Sequence, residues 1–255
     1  MDLVIYDISI WIYVALFFVA FIAGTIDAIA GGGGLITVPV LLAAGLSPAE
    51  ALSTNKLQSC AGTVSASYHF VKSGKVKLNT LWFPILMTAV GAISGTLLVS
   101  YLDSTLLLKV VPIILIAVAI YFFFMPKLQP YIASKVSLTP TAFACTAGLG
   151  IGFYDGLIGP GTGAFFSTAY MCFMGFSVVS ATAHTKVLNA TSNLASLAVF
   201  TFSGHIVWLL GIVMGVGQWF GAKVGSHLII NKGASLIRPM VIIMCLAISI
   251  KLLMD

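Results

Sequence analysis

Two lysines stand in stretches of sequence that otherwise read as membrane helix. Lys56 follows Thr54 and Asn55 and precedes Gln58 within the run Ala49 to Val71, and Lys186 lies in Val178 to Phe202 with His184, Asn189 and Asn193 close by. An ammonium group at the centre of a bilayer costs at least about 2.5–3.5 kcal/mol on insertion scales, so each should face a partner or a wet cavity. Lys186, Asn189 and Asn193 are three and four residues apart and therefore share one helix face. Buried cations ringed by amides offer the chemistry of anion binding. The competing reading starts both segments at the interface and lets the lysines snorkel to headgroups.

Glycine breaks supply the second ingredient. Ala30 is followed by Gly31, Gly32, Gly33 and Gly34, and the later run Gly159-Pro160-Gly161-Thr162-Gly163 breaks the chain more firmly. Each glycine inside a helix costs about 1 kcal/mol relative to alanine, so neither run continues a helix comfortably. A short apolar segment follows each break, with Pro39 inside the first. Short Gly/Pro-broken segments at corresponding places in two halves point to a transporter binding site. Helix starts there present N–H groups and a positive dipole end, which favour an anion. Glycines that merely allow close packing, or a turn at the membrane surface, are the alternative. Asp27 and Asp155 lie about one turn before the two breaks. They are candidate ion-pair partners for the lysines, caps for exposed backbone donors, or proton carriers, with pairing or capping preferred.

The elements that must position these groups are apolar and closely spaced. The chain has 60% hydrophobic and 7% charged residues and a mean hydropathy of +1.11, against about 25% charged residues in a soluble domain. At about 20 residues per crossing, its length supplies roughly eight to ten spans and leaves no room for a soluble domain. The first series of apolar segments is Ile8 to Ala30, Leu35 to Leu46, Ala49 to Val71, Leu78 to Leu102 and Thr105 to Met125. The second is Thr141 to Ile158, Ala164 to Phe176, Val178 to Phe202, Ile206 to Ile230 and Ala234 to Met254. Residues 1–125 are expected to form a first membrane repeat, 126–138 a linker rich in proline and lysine, and 139–255 a second repeat, together one transmembrane domain.

Internal similarity supports duplication. Gly24-x-x-Asp27-x-x-x-Gly31 matches Gly152-x-x-Asp155-x-x-x-Gly159, Ser73-Gly74-Lys75-Val76 matches Ser203-Gly204-His205-Ile206, and Gly91-x-x-x-Gly95 matches Gly221-x-x-x-Gly225. Thr54-Asn55-Lys56 has a looser counterpart in His184-Thr185-Lys186. Lys72, Lys75 and Lys77 place the first of the Ser-Gly loops in the cytoplasm, together with Lys127 and Lys135 of the linker. The loop at Gly204 and His205 lacks Lys and Arg, while Lys232 and Arg238 flank the next one. Equivalent loops thus fall on opposite faces. The expected fold is an all-α polytopic membrane protein made of two inverted-topology repeats of about five segments each, with Gly-broken helices near the midplane and both termini outside.

The remaining signals are structural. Met1 to Ile10 contains Asp2 and Asp7 but no Lys or Arg, so the first apolar run reads as a retained span and not as a cleaved signal. The net charge of +5 reflects cytoplasmic loops and gives no reason to expect nucleic acid. Cys60, Cys145, Cys172 and Cys245 are far apart in apolar stretches and are expected to be buried single thiols, and the histidines His69, His184, His205 and His227 lack a metal-binding spacing, so no metal or cofactor is expected. Gly91-x-x-x-Gly95 and Gly221-x-x-x-Gly225 read as close-packing faces. Trp11, Trp82, Trp208 and Trp219 read as interface anchors or core residues.

At the residues Gly24-Thr25-Ile26-Asp27-Ala28-Ile29-Ala30-Gly31-Gly32-Gly33-Gly34, at Pro39, and at Ala51-Leu52-Ser53-Thr54-Asn55-Lys56-Leu57-Gln58, the chain resembles the sulfite exporter TauE/SafE family, also called the toluene-sulfonate uptake permease family. The resemblance extends through the second break and Lys186 over nearly the whole chain. It implies transport of sulfite, sulfonates or related small oxyanions across the cell membrane, driven by an ion gradient without ATP hydrolysis. The residues themselves reach only a small anion. The expected substrate site comprises Lys56, Asn55, Gln58, Lys186, Asn189, Asn193, Gly32, Gly33, Gly34, Gly161, Thr162 and Gly163, with Asp27, Asp155 and His184 as coupling or ion-pairing groups for a proton or cation. A passive anion channel is the first rival. A membrane-embedded sulfur-handling enzyme using Cys60 is the second, and no paired-His, Cys–His or Walker-type constellation favours it.

Overall fold

A computed structural model describes residues 9–124 and 137–232. All the regular structure among the described residues is helical: α1 (Ile10–Ala30), α2 (Gly34–Ala43), α3 (Pro48–Lys72), α4 (Trp82–Ser100), α5 (Ser104–Phe124), α6 (Pro140–Phe143), α7 (Leu149–Leu157), α8 (Thr162–Met174), α9 (Val178–Ser203) and α10 (Trp208–Lys232). A π-helical stretch, Ala144–Gly148, joins α6 to α7, so the expected segment Thr141 to Ile158 is one run with a bulge in it. The fourth segment starts later than expected, after a separate 3₁₀ turn at Leu78–Thr80. Pro84 falls in the first turn of α4, where its missing N–H costs no helix bond. The linker 126–138 apart from Ser137 and Leu138, the segment Ala234 to Met254, both termini, Lys127, Lys135, Arg238 and Cys245 lie outside the described residues.

Local signals set the helix ends. Ser47 opens α3 in a capping box: its side chain accepts from the Glu50 N–H, and Glu50 accepts from the Ser47 N–H at 2.9 Å. Ser177 caps α9 in the corresponding position by accepting from the Ser180 N–H. Glycines with left-handed backbone close α8 and α9, at Gly175 (φ 66°) and Gly204 (φ 76°), and recur at the same offset at Gly45 and Gly74.

Small residues let the backbones touch. Gly217, Gly221 and Gly225 bring α10 onto α1 so closely that a Cβ on any of them would collide with the carbonyls of Phe17, Phe21 and Thr25. Gly91 and Gly95 do the same for α4 against Leu149 and Phe153 on the π–α7 run, and Gly152 and Gly156 answer from α7 against Thr88 and Ala92. The side chains follow suit, Thr25 donating to the Gly221 carbonyl at 3.1 Å and Thr96 to the Gly156 carbonyl at 3.1 Å. The most extensive pairings are crossed, α1 and α3 with α10 and α4 with α7, while α3 and α9 also pack on each other.

The loop after α9 sits beside the start of α3. Ser53 donates to the His205 carbonyl at 2.9 Å, and the Val207 N–H donates to the Thr54 hydroxyl at 3.0 Å. The Gly74 loop leaves the far end of α3, so about 20 residues of helix, roughly 30 Å at 1.5 Å per residue, separate the two loops.

The outer surface is apolar: Phe18, Ile22, Leu86, Val90, Leu97 and Ile212 are among many large side chains left exposed. So broad an apolar exterior marks a surface that faces lipid. Helices α1 and α4 are long and apolar enough to cross a membrane. Helices α3 and α9 are longer still, but they carry the polar side chains of the interior. Trp11, Trp82 and Trp208 are exposed in the first turns of α1, α4 and α10, and Trp219 is exposed midway along α10. The first three positions are where interface anchors belong.

Candidate functional site

The two glycine breaks meet. Gly31 ends α1 in a left-handed conformation (φ 77°), and Gly161 opens α8 in another (φ 85°). Ala164 donates its N–H to the Gly31 carbonyl at 3.1 Å across the junction. A side chain on Gly31 would run into the main chain of Gly163, and one on Gly163 would meet the Gly31 Cα at 2.6 Å. Only glycine satisfies both the backbone angle and the contact there. Tyr154 fastens the second break by donating its hydroxyl to the Pro160 carbonyl at 2.6 Å.

Each lysine reaches the aspartate beside the break in the other half of the sequence. Lys56 Nζ lies 2.8 Å from Asp155 Oδ1 and donates also to Asn193 Oδ1 at 3.2 Å. Lys186 Nζ lies 2.9 Å from Asp27 Oδ2 and donates also to the Asp27 main-chain carbonyl. Lys56 is 2% and Lys186 0% exposed, so neither reaches a headgroup, and the snorkelling alternative does not hold. Lys56 Nζ also lies close against Gly159 of the second break. The aspartates pair and cap at once. Asp27 Oδ1 accepts the Gly33 N–H at 3.1 Å, at the start of α2. Asp155 accepts the hydroxyls of Thr162 at 2.9 Å and of Ser192. Such pairs are tolerated in a dry interior only because the remaining lone pairs find donors too.

Between the breaks lies a polar cavity of about 290 Å³. Asp27, Gly34 and Asn55 line it from one half of the chain, and Asp155, Gly161, Thr162, Gly163, Asn189 and Asn193 from the other. The free space within it is about that of one water molecule. Lys56 and Lys186 do not line it; each stands behind the aspartate it pairs with. Gln58 is drawn into the same network, donating its amide to Asn55 Oδ1 at 2.8 Å, while its own amide oxygen has no partner. Gly32 forms the turn into α2 through its carbonyl, which accepts from Leu35 at 3.0 Å. Gly33 is engaged by Asp27.

Several polar residues of the site carry weaker sequence signals. Thr37 donates to Asn55 Oδ1 at 2.6 Å, with Ser167 and Thr185 bonded at 3.1 Å in the corresponding place of the second half. Ser59 and Thr63 line the cavity. With Asn55 they form an i, i+4, i+8 stripe on α3, a helical spacing that would have found them. His184 is elsewhere. Its ring packs on Phe176 (centroids 4.8 Å apart) and Tyr170 (5.6 Å), and Nδ1 is 2.8 Å from the Ser180 carbonyl. Cys60 is buried one turn beyond Lys56 as expected, whereas Cys145 and Cys172 are exposed and not buried, because an apolar stretch here also supplies the apolar outer surface.

A helical membrane protein with two broken helices meeting at a closed polar cavity has the architecture of a membrane transporter. The family model described as "Sulfite exporter TauE/SafE" matches residues 16–252, and the chain belongs to that family. "Probable membrane transporter protein YfcA" of Escherichia coli (strain K12) is 48% identical over 240 residues, covering 94% of this chain and 89% of the relative. A "Probable membrane transporter protein" of Haemophilus influenzae is 44% identical over 249 residues, covering 98% and 97%. The "Probable membrane transporter protein YunE" of Bacillus subtilis (strain 168) is 24% identical over 238 residues, covering 84% and 87%. No solved structure matches the chain. The protein is thus a membrane transporter of the TauE/SafE family and not an enzyme.

Proposed function

We propose that this chain is a secondary transporter of a small sulfur-containing oxyanion, sulfite or a sulfonate, in the cytoplasmic membrane. The observation that carries the reading is the convergence of the two Lys–Asp pairs, through Asp27 and Asp155, and of the starts of α2 and α8 on one polar cavity. Ammonium groups, amides from Asn55, Asn189 and Asn193, the Thr162 hydroxyl and N–H groups at Gly33, Gly34 and Gly163 are the donors that a tetrahedral or pyramidal oxyanion needs. Sulfur in the substrate comes from the family description.

The halves act as inverted repeats on either side of this site. Crossed packing of α1 with α10 and α4 with α7, the exchanged Lys–Asp pairs, and the matched Gly74 and Gly204 loops at opposite ends of α3 all support that organisation. It puts the breaks near the midplane and both termini outside. A cavity with room for about one water molecule is too small for a sulfonate, so one side must open to load it. Rocking of one half against the other does this while the second side stays shut, which is alternating access and not a continuous channel.

Uptake of labelled sulfite and ethanesulfonate into proteoliposomes tests the reading. Saturable flux that collapses in Lys56→Ala and Lys186→Ala is expected. Non-saturating flux would make the protein a channel, and wild-type rates in both variants would remove the lysines from the site.

A further inference from the structure

The two aspartates hold the donors that a substrate anion requires, and they do so unequally. Asp155 takes Lys56, the Thr162 hydroxyl and the Ser192 hydroxyl, and its side chain is 3% exposed. Among the described residues Asp27 takes Lys186 and the Gly33 N–H, and its side chain, 12% exposed, is the less enclosed of the two. Lys186 has a second hold that does not depend on that carboxylate. It donates to the main-chain carbonyl of Asp27, in the last turn of α1, where the helix dipole favours a cation. Neutralising Asp27 would therefore leave the ammonium in place and release two donors, the Lys186 N–H and the Gly33 N–H.

Charge balance requires that neutralisation. Lys56 with Asp155 and Lys186 with Asp27 sum to zero in a site from which lipid and protein exclude water. A bound monoanion alone would leave a buried net charge of one, which a dry interior does not tolerate without a compensating charge. The other ionisable groups on the packed elements do not supply the missing charge. Lys56 on α3 and Asp155 on α7 satisfy each other, and Cys60 on α3 carries none. Lys223 and His227 on α10 are exposed, Tyr170 on α8 packs with His184 of α9, and α2 has no titratable residue.

Resting on the transporter reading above, we infer that Asp27 is the proton-coupling group. Its carboxylate occupies the anion's donors, and a substrate anion enters when Asp27 has taken a proton. The proton comes from the solution on the loading side and rests on the carboxyl group. It leaves on the other side when the anion departs and the carboxylate closes again on Lys186 and Gly33. One proton then accompanies each monoanion, and the loaded and empty carriers both cross neutral.

Ethanesulfonate, anionic across the working pH range, separates the protein's proton from the substrate's own. In proteoliposomes of the full chain, an acid exterior should drive its accumulation, a potassium–valinomycin potential should not, and an entrapped pH dye should report inward proton flow with uptake. Apparent affinity should fall about tenfold per pH unit where Asp27 is ionised, by proton linkage. In Asp27→Asn pH-driven accumulation should be lost, and whatever exchange of labelled for unlabelled ethanesulfonate it retains should show no dependence on pH. Uptake without proton flow in the wild type, or pH-driven accumulation by Asp27→Asn, overturns the inference while leaving the transporter reading intact. Should Asp27→Asn not fold, the dye measurement on the wild type decides alone. No wild-type flux of ethanesulfonate or sulfite overturns the proposed function and the inference with it.

Discussion

Lys56 on α3 and Asp155 on α7 come from opposite halves of the chain and stand 2.8 Å apart in the interior, and the same exchange recurs between Lys186 on α9 and Asp27 on α1. Each half thus lends its cation to the broken helix of the other. The pairs tie the two breaks to the helix pair α3–α9, so any movement that separates the halves must loosen them. That makes them the natural place for a substrate to be sensed.

Removing one member of a buried pair strands the other. Lys56→Met leaves the Asp155 carboxylate with hydroxyl donors alone, and destabilisation of about 3–5 kcal/mol is expected from comparable buried pairs. The double variant Lys56→Met with Asp155→Leu should recover much of that loss yet transport nothing. Thermal unfolding in detergent reads the first effect and liposome flux the second. A double variant as unstable as the single would mean that packing, and not the stranded charge, sets the cost.

The glycine contacts predict a sharp contrast across the α4–α7 pair. Gly95 faces the Phe153 carbonyl with no room for a methyl group, whereas a Cβ on Gly150 meets nothing within 4 Å. Gly95→Val should therefore push α4 off α7, with overpacking of about 1–3 kcal/mol or more. Gly150→Ala should be neutral or stabilise by up to about 1 kcal/mol. Yield of monodisperse protein and its melting temperature compare the two; equal behaviour would contradict the close approach of α4 and α7.

Much of this architecture could be read before any coordinates. Hydrophobic runs locate the described helices to within a few residues, because lipid forces every span to satisfy its own backbone. The breaks and the buried lysines are visible because glycine runs and ammonium groups are costly where they stand. Which aspartate each lysine takes is not visible, since it depends on how α3 and α9 cross the opposite break. Thr37, Ser59, Thr63 and Ser192 are faint for a different reason: a hydroxyl on a membrane helix commonly bonds its own backbone, as Thr63 does with the Ser59 carbonyl at 2.7 Å. His184 drew attention by sitting two residues before Lys186, but at that spacing side chains point to different faces.

Asn55 and Asn189 line the same cavity with different obligations. Asn55 Oδ1 accepts from Thr37 and from Gln58; Asn55→Ala strands the buried Gln58 amide, leaves the Thr37 hydroxyl the Gly33 carbonyl at 3.1 Å, and should cost stability as well as transport. The contact of Asn189 with another side chain is a 3.5 Å approach of the Asn193 amide. Asn189→Ala should leave the melting temperature nearly unchanged while raising the KM for the oxyanion roughly tenfold, as loss of a hydrogen bond to a charged ligand worth about 1.5–3 kcal/mol requires. An unchanged KM would take Asn189 out of the substrate site.

Topology offers the most direct check on the inverted arrangement. The Gly74 loop is flanked by Lys72, Lys75 and Lys77, and the Gly204 loop, built with the same left-handed glycine, has only His205. Bonds from Ser53 and Thr54 hold the second loop at the start of α3, roughly 30 Å of helix from the first, about the thickness of the hydrocarbon core. The positive-inside preference then puts Ser73 in the cytoplasm and His205 outside. With the native cysteines replaced, His205→Cys should react with an impermeant maleimide on intact cells, and Ser73→Cys only after the membrane is opened. Labelling of both from one side would mean that α3 does not span the bilayer, and the exchanged ion pairs could not then sit midway between two aqueous faces.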